Sequence, residues 1–442
     1  MKRNRADKMS GKWEESDLVR RACHALDIAK LTVEQFAANG YVHSTDPAKN
    51  VRSEKVLSET AILVLHASSI DFYPDVRTRI ASLAEYLIPF ARSERTLLGL
   101  CLEPSLAWDY ALPHVCLARL GYADAQFDEL LSRSVRSSAH AGRERVPHRL
   151  LEQEWLARGW NETKGARAIT HSRAARASIL SRPLDLFGGT RDDIYAFTHA
   201  LMYVTDFNLR PAPLPRPRPM ILGEAEAALS RSVDDQDYDL AGEVLLSWPL
   251  TGKSWSASAT FAFRVLARVE DKAGFLPTPS TRIAELDALD GPQRKQLLLA
   301  TAYHTAYVMG LLCVASLRPG FAPPMSVPMT ASKCGSAKKI LAAIDLDSPS
   351  AHWQEEFQEL TAAEADSLAG FLINVGLHRR IAKRDFGGVR QLLELAWELD
   401  LANTPAASQS AQLLDRISTL SKFKQNARCG PPRDQSPLAA IT

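Results

Sequence analysis

The sequence predicts a nearly all-α protein in which helical hairpins close into an α/α ring. Apolar residues recur at helical spacing along most of the 442 residues, and the alternation typical of strands is almost absent. Proline and glycine mark many of the predicted helix ends. Stretches 53–68, 78–91 and 149–156 are representative predicted helices. A stacked α-solenoid is the alternative architecture.

Composition and charge restrict the class of protein. Apolar residues make up 46% and charged residues 24% of the chain, values typical of a soluble globular protein. The 53 Lys and Arg against 51 Asp and Glu leave a net charge of +2, which argues against nucleic acid or an anionic membrane as a partner. The 6 cysteines form no paired motif, so we interpret them as free thiols.

No targeting signal is recognisable in the pattern. Residues 1–16 are charged, and the apolar segment that a secretory signal requires does not follow them. Apolar stretches such as 61–65 and 308–317 are shorter than the ~20 residues of a membrane-spanning helix. We therefore expect a cytoplasmic protein whose partner is a small-molecule substrate or another protein, and self-association is compatible with the pattern.

Two proline-rich stretches divide the chain into blocks of helices. We expect linkers at 211–219 (PAPLPRPRP) and 319–330, the first of them extended and polyproline-like. The predicted helical blocks are 17–210, 220–318 and 331–425. The basic N-terminus 1–16 and the tail 426–442 lack helical periodicity, and we expect both to be disordered.

Four segments of related composition favour the ring over the solenoid. Each begins with an acidic or aromatic residue and continues as an apolar helix that carries a polar residue. The segments are 108–120, 193–207, 237–250 and 302–314. Their irregular spacing fits αα-hairpin units. In a ring, the inner helices face a central cavity, so their buried polar residues share one pocket.

The most informative segment is the stretch around His199. At about 100° per residue, Tyr195, His199, Tyr203 and Asp206 fall within about 80° on one helix face. Burying an imidazole, two phenols and a carboxylate is costly unless they pair with each other or with a ligand. Three interpretations stay open: an interhelical hydrogen-bond network, an acid/base or ligand-binding face, and a pair of metal ligands.

Two further groups carry imidazole or acidic side chains. His148 and Glu152 lie four residues apart on a predicted helix that begins at Pro147, so they form either an exposed pair or an oriented dyad. Asp239 and Glu243 are also one helical turn apart. Glu243 lies in the apolar part of its helix, where a carboxyl group is either paired or has the raised pKa that a general acid requires.

The last group is His304 with Tyr307, three residues apart in a strongly apolar helix. A lone histidine on such a helix is usually a core residue whose hydrogen bonds are satisfied. Here it is the second histidine set among tyrosine, threonine and small residues. Closing the ring would place it opposite His199.

Several established chemistries have no motif in this chain. We find no HExxH, no P-loop, no GxGxxG after a strand and no GxSxG turn. Nucleotide-driven, Rossmann and common hydrolase mechanisms are therefore disfavoured. We predict no metal ligands and can name no cofactor. A metal held by His148, His199 or His304 with nearby carboxylates is a third, weaker hypothesis.

Two motifs resemble those of an uncharacterised bacterial family. The matching residues are ERVPHR at 144–149 with Glu152 and Trp155, then Thr198-His199 and YVTDF at 203–207. Members of that family look like actinobacterial and related proteins with a domain of unknown function, and the resemblance covers about residues 54–324. It implies no activity. The family pattern has glycine after the Asp-Phe pair, where this chain has Asn208.

These observations lead to one functional hypothesis and one alternative. We expect an enzyme of bacterial specialised metabolism in which acid/base groups act on a small organic substrate in a helical cavity. The catalytic candidates are His199, Asp206, Glu243 and His304, and the substrate-binding candidates are Tyr195, Tyr203, Asp239, Tyr307 and His148. The alternative is a non-catalytic helical-repeat protein that binds a peptide or protein partner.

Overall fold

The described part of the chain folds into α-helices joined by short connections. The computed structural model describes residues 13–46, 50–160, 169–209, 212–279, 281, 283–344 and 351–428. The first helices are α1 (Glu15–Phe36), α2 (Ser53–Ala67), α3 (Pro74–Ala91), α4 (Glu94–Leu102), α5 (Ala107–Arg119), α6 (Ala125–Arg136), α7 (Pro147–Trp160), α8 (Arg173–Ala177), α9 (Arg191–Val204) and α10 (Arg218–Asp234). They are followed by α11 (Tyr238–Leu245), α12 (Ser247–Thr251), α13 (Ala257–Ala273), α14 (Ile283–Asp287), α15 (Gly291–Ser316), α16 (Ser336–Ala343), α17 (His352–Phe357), α18 (Ala362–Ser367), α19 (Ala369–Ala382), α20 (Phe386–Glu398) and α21 (Pro405–Arg428). These ranges contain no strand, only isolated bridge residues such as the pair Tyr41 and Val51, which confirms the all-α class.

The helices that matter for the site begin at residues suited to that position. α7 starts at Pro147, whose fixed φ and missing N–H suit the first helical turn. α9 starts with a capping box in which Thr190 and Asp193 exchange side-chain-to-backbone contacts. At the start of α11, the Asp237 carboxylate accepts from the amide of Leu240. These caps fix the register of each helix and therefore which residues it presents to its neighbours.

Six helices contact one another in succession. α2 packs on α5, α5 on α7, α7 on α9 and α9 on α11; α11 packs on α15, which in turn packs on α2. α1 lies along α15 and also contacts α2 and α3. One contiguous hydrophobic core extends from Leu18 to Ala406 in sequence. The three blocks that the sequence separates therefore share one core.

α15 is the most apolar of the long helices that the structure describes. Its 26 residues are long and apolar enough to cross a membrane, although 72% of the apolar window is buried inside the protein. Burial of this kind is also what a core helix shows. The apolar run at 308–317, which is too short to span a membrane, coincides with only the C-terminal part of this helix.

The predicted linker at 211–219 is anchored to the fold where the structure describes it. α10 begins at Arg218, inside the predicted stretch. The guanidinium of Arg216 donates to both carboxylate oxygens of Glu224, at 2.7 and 2.6 Å, and its Nε donates to the carbonyl of Leu180. A segment that composition predicts to be an extended linker is thus held in place by one of its own arginines.

The predicted disordered ends lie mostly outside the described residues. Residues 1–12 and 429–442 belong to the parts that the structure does not describe, as do residue 211 of the first predicted linker and residue 210 before it. α1 includes the last two residues of the predicted N-terminal stretch, and α21 includes the first three residues of the predicted tail. The stretch 319–330 contains no helix.

We expect the protein to lose stability in mild acid through His66. This side chain is 3% exposed, stacks on Phe207 and has no hydrogen-bond partner for Nε2 among the described residues. Burial, reinforced by the positive charges of Arg119 and Arg318, holds the pKa of His66 well below 6.5. The unfolded chain therefore binds a proton below about pH 6.5 that the folded chain does not, and the free energy of unfolding decreases as the pH drops.

Between pH 6.5 and pH 5 this effect amounts to about 1.5 kcal/mol. We expect His66→Gln to reduce the acid sensitivity by that amount while lowering stability at neutral pH. Urea unfolding at pH 7.5, 6.5, 5.5 and 5 measures both, and the other histidines cancel in the comparison with the wild-type chain. Equal slopes of unfolding free energy against pH in the two proteins would show that His66 is not the source of the acid sensitivity.

Candidate functional site

A cavity of about 1360 Å³ lies among the six helices that contact one another in succession, and it is partly open to solvent. Each of those helices supplies polar side chains to its wall. Examples are Glu59 (α2), Asp109 (α5), Glu152 (α7), Tyr195 and His199 (α9), Asp239 and Glu243 (α11), and Tyr303 and His304 (α15). The cavity therefore collects residues from most of the chain, from the N-terminal helices to α15.

His304 lies at the centre of three carboxylates. Its Nδ1 is 3.3 Å from Oε1 of Glu59, and its Nε2 is 3.4 Å from Oδ1 of Asp239 and 3.6 Å from Oε1 of Glu243. Burial opposes a charged imidazole, but the carboxylates of Glu59 and Asp239 outweigh it and raise the pKa of His304 well above its ordinary value. The cluster therefore favours a positive charge at its centre.

The pKa values of the three carboxylates around His304 shift in different directions. Burial would raise the pKa of Glu59, yet His304 and Lys55 lower it to about 2. Burial is likewise overcome at Glu243, where His199 and His304 lower the pKa far below its usual range. Burial and the charge of Glu243 raise the pKa of Asp239, which is the one of these three carboxylates that holds a proton more readily than usual. Glu243 is thus the fixed negative charge between the two histidines.

Glu243 also joins the two histidines through its two oxygens. Oε1 faces His304, while Oε2 accepts a hydrogen bond of 2.6 Å from Thr198 Oγ1 and lies 3.5 Å from His199 Nδ1. Its side chain is 2% exposed, so these neighbours are its main compensation for burial. The adjacent Thr198 and His199, which are part of the family resemblance, therefore both contact this carboxylate.

The orientation of His199 follows from its neighbours. Nδ1 lies 3.1 Å from the carbonyl oxygen of Tyr195 and 3.5 Å from Oε2 of Glu243, and both oxygens can only accept. The proton of a neutral His199 is therefore on Nδ1, and Nε2 presents its lone pair. The side chain is 13% exposed and lines the cavity. This is the arrangement of a general base whose tautomer is set by its surroundings.

The three predicted tyrosines all line the cavity, but they play different parts. Tyr203 donates to Glu152 at 2.6 Å, and the Tyr307 hydroxyl lies 2.9 Å from that of Thr60, so both are engaged within the protein. Tyr195 stacks on His199 at 3.7 Å between ring centroids, and no described residue binds its hydroxyl. Burial and the charge of Glu243 raise the pKa of Tyr195, which keeps its hydroxyl a neutral hydrogen-bond donor.

Asp206 does not join the other candidates, and the helical-face argument for it was wrong. α9 ends at Val204, and Asp206 follows in a 3₁₀ turn with a positive φ of 49°. Its carboxylate accepts a hydrogen bond of 2.5 Å from Trp155 Nε1 and lies 3.5 Å from Arg119. Asp206 is not among the residues that line the cavity. Its carboxylate connects the turn after α9 to Trp155 on α7 and Arg119 on α5.

His148 also lies outside the cavity wall, and it does not pair with Glu152. Glu152 instead accepts hydrogen bonds from Arg149 and from Tyr203. The His148 ring lies edge-on to His199, with 6.4 Å between centroids. Burial, together with the charges of Arg149 and His199, lowers the pKa of His148 to about 4, so it is neutral at physiological pH.

Sequence reasoning missed Glu59, Tyr303 and Arg191. Glu59 follows Lys55 at the spacing of an ordinary exposed ion pair, so the pattern did not indicate that Glu59 lines a cavity. Its apolar neighbours one turn away, Val56 and Leu63, are the signal that would have found it. Arg191 at the start of α9 donates to Asp239 Oδ2 at 2.8 Å, a contact between two helices that no local pattern predicts.

The cavity wall carries an excess of negative charge. Nine of the described lining residues are Asp or Glu, while five are Lys or Arg. Some of the cations are already neutralised locally, as Arg191 is by Asp237 and Asp239. The wall therefore attracts positively charged groups more strongly than anions.

Comparison with known proteins identifies a family but no activity. The model of a family described as a domain of unknown function (DUF6895) matches residues 22–314. That range includes Glu59, His199, Asp239, Glu243 and His304, and it confirms the resemblance to an uncharacterised family. No curated protein and no solved structure matches the chain significantly.

Proposed function

The chain belongs to the DUF6895 family, and we propose that it is an enzyme that applies acid/base chemistry to a small organic substrate inside the cavity. One observation carries the proposal: His199, Glu243 and His304, which come from three different helices, meet at one cavity. The pKa values of Glu243 and His304 are perturbed in opposite directions, and perturbed titratable groups gathered in a cleft are typical of active sites.

In the proposed reaction His199 takes the proton. Its Nε2 accepts a proton from a substrate O–H, N–H or acidified C–H, and the imidazolium that forms is stabilised by Glu243 at 3.5 Å. The hydroxyl of Tyr195 donates a hydrogen bond to the substrate, because it is neutral and not engaged by a described residue. Asp206 and His148 take no part, since neither lines the cavity.

The proposed architecture is the closed α/α ring. It is supported by the succession of contacts from α2 through α5, α7, α9 and α11 to α15 and back to α2, and by the cavity among those helices. The excess of carboxylates in the wall favours a substrate that carries a positively charged or hydrogen-bond-donating group. We further propose a cytoplasmic location and a role in bacterial specialised metabolism, as expected from the sequence pattern.

A substrate screen with a matched pair of variants tests this proposal. His199→Asn keeps a donor near the Nδ1 position but removes the basic Nε2, while His171→Asn removes an exposed histidine outside the cavity. A panel of small amines, amino acids and hydroxylated metabolites is screened for product by liquid chromatography and mass spectrometry. We expect His199→Asn to lower turnover about a hundredfold or more and His171→Asn to leave it unchanged. Turnover that is unaffected by His199→Asn would refute the proposal.

The size of the cavity favours one alternative function. At about 1360 Å³ it exceeds the 300–1,000 Å³ typical of small-molecule pockets, which suits a peptide segment of a partner protein. In that case the polar residues form a structural network, and His199→Asn should lower unfolding free energy by about 1–3 kcal/mol. A variant that binds ligands normally but melts earlier would favour this function.

A further inference from the structure

We infer that Asp239, Glu243 and His304 form a binding site for one divalent transition-metal ion, Zn²⁺ or Mn²⁺. Their ligand atoms lie within 4.8 Å of one another, and all three residues line the cavity. The sequence predicts no definite metal ligands, and a metal held by His148, His199 or His304 with nearby carboxylates is the weakest of the three hypotheses drawn from it. This inference does not depend on the proposed function, because the site is defined by its own geometry.

The distances around His304 are those of ligands rather than of hydrogen-bonded partners. Its Nε2 lies 3.4 Å from Asp239 Oδ1 and 3.6 Å from Glu243 Oε1, beyond the ordinary range of N–H···O bonds. Two ligands bound tetrahedrally at about 2.1 Å from one ion are separated by about 3.4 Å. The two distances from Nε2 therefore match the spacing of two ligands around one ion, and the two carboxylate oxygens lie within 4.8 Å of each other.

A buried oxygen without a partner points to the same position. Asp239 is 8% exposed, and its Oδ1 accepts no hydrogen bond from any residue that the structure describes. Leaving a buried carboxylate oxygen unsatisfied is costly, so such atoms call for a ligand or an ion. A cation among the three ligands would satisfy this oxygen.

In each of the three residues, the second polar atom of the side chain lies next to a further polar side chain. Asp239 Oδ2 accepts from Arg191 at 2.8 Å, and Glu243 Oε2 accepts from Thr198 at 2.6 Å. His304 Nδ1 faces Glu59 Oε1 at 3.3 Å. A metal-binding histidine usually has its second ring nitrogen next to a carboxylate in this way, and the bound carboxylates are themselves hydrogen-bonded.

The donor set and its exposure indicate the kind of ion. One imidazole with two carboxylates suits Zn²⁺ or Mn²⁺ better than Cu⁺, which prefers sulfur. Three protein ligands facing a cavity leave a coordination position open to solvent or substrate, as in catalytic rather than structural zinc sites. The excess of negative charge in the wall favours the entry of a cation.

Metal titration of the full chain tests the inference without any substrate. After dialysis against a chelator, Zn²⁺ is titrated in competition with a chromophoric chelator, Mn²⁺ binding is followed by electron paramagnetic resonance, and elemental analysis gives the stoichiometry. We expect one ion per chain. Asp239→Asn and His304→Ala should weaken binding at least a hundredfold, and Glu59→Gln, a positioning residue, about tenfold or more.

Two controls distinguish ion binding at this site from non-specific attraction of cations to the acidic wall, and from the proposed reaction of His199. Asp192→Asn removes an exposed carboxylate of the same cavity wall and should leave the affinity unchanged. His199→Asn should keep the ion even where it abolishes turnover. Circular dichroism of each metal-free variant verifies that it is folded. A folded wild-type chain that takes up no stoichiometric Zn²⁺ or Mn²⁺, or an Asp239→Asn variant that binds as tightly as wild type, overturns the inference.

Discussion

Arg216→Met is expected to lower the unfolding free energy by about 3–5 kcal/mol. Arg216 forms a bidentate ion pair with Glu224. Glu224 is 1% exposed and pairs with no other described residue. Removing the arginine leaves a buried carboxylate without its counter-charge, and that loss is larger than the net value of the intact pair. Urea unfolding followed by circular dichroism at neutral pH measures the difference.

Two controls distinguish this effect from a general loss of charge. The double variant Arg216→Met with Glu224→Leu removes the stranded charge and should recover most of the stability. Arg133→Met disrupts an exposed ion pair with Glu129 on α6 and should change stability by no more than about 0.5 kcal/mol. A single variant as stable as the double variant would show that Glu224 is not stranded.

Gly310→Ala is expected to destabilise the protein by about 2–3 kcal/mol, although alanine is the better helix former. A Cβ atom at Gly310 would lie 2.4 Å from Cβ of Ala25 on α1 and 3.3 Å from Leu63 on α2. A methyl group cannot be accommodated at the first distance unless the backbones of α1 and α15 separate. Thermal unfolding of the variant should therefore show a clear drop in Tm.

The chain offers both a compensating variant and a matched control for this prediction. Ala25→Gly in the Gly310→Ala background removes the opposing methyl group and should restore part of the stability. Gly370→Ala introduces the same methyl group in α19, where nothing lies within 4 Å, and should be neutral or stabilise by up to about 1 kcal/mol. Similar effects at positions 310 and 370 would mean that the close helix contact does not limit stability.

Helical periodicity predicted the class of fold and much of the α9 face. Tyr195, His199 and Tyr203 share that face, because spacing along a regular helix determines direction. The same argument failed for Asp206, since it requires the helix to continue and α9 ends two residues earlier. Sequence spacing therefore indicates which residues share a face only within the true helix bounds. Those bounds are the least certain part of a prediction from sequence.

The grouping around His304 could not be predicted from the sequence. Glu59, Glu243 and His304 belong to α2, α11 and α15, and local patterns determine which residues share a face but not which helices meet. Glu59 was also concealed by its spacing from Lys55, which is that of an exposed pair. Arg216 was misjudged for a related reason: proline-rich composition predicts extension, but it does not reveal a buried carboxylate eight residues further along.

The packing of α1 along α15 has a consequence for how the protein is made. α1 ends at Phe36 and α15 at Ser316, so 280 residues must be added after α1 leaves the ribosome before its main partner is complete. At roughly 5–20 residues per second this takes roughly 15–60 s. During that time the apolar face of α1, with Leu18, Leu26 and Val33, has no α15 to cover it. Until then, α2 and α3 are the partners already synthesised that α1 can pack against, so α1 completes its packing only near the end of the family domain.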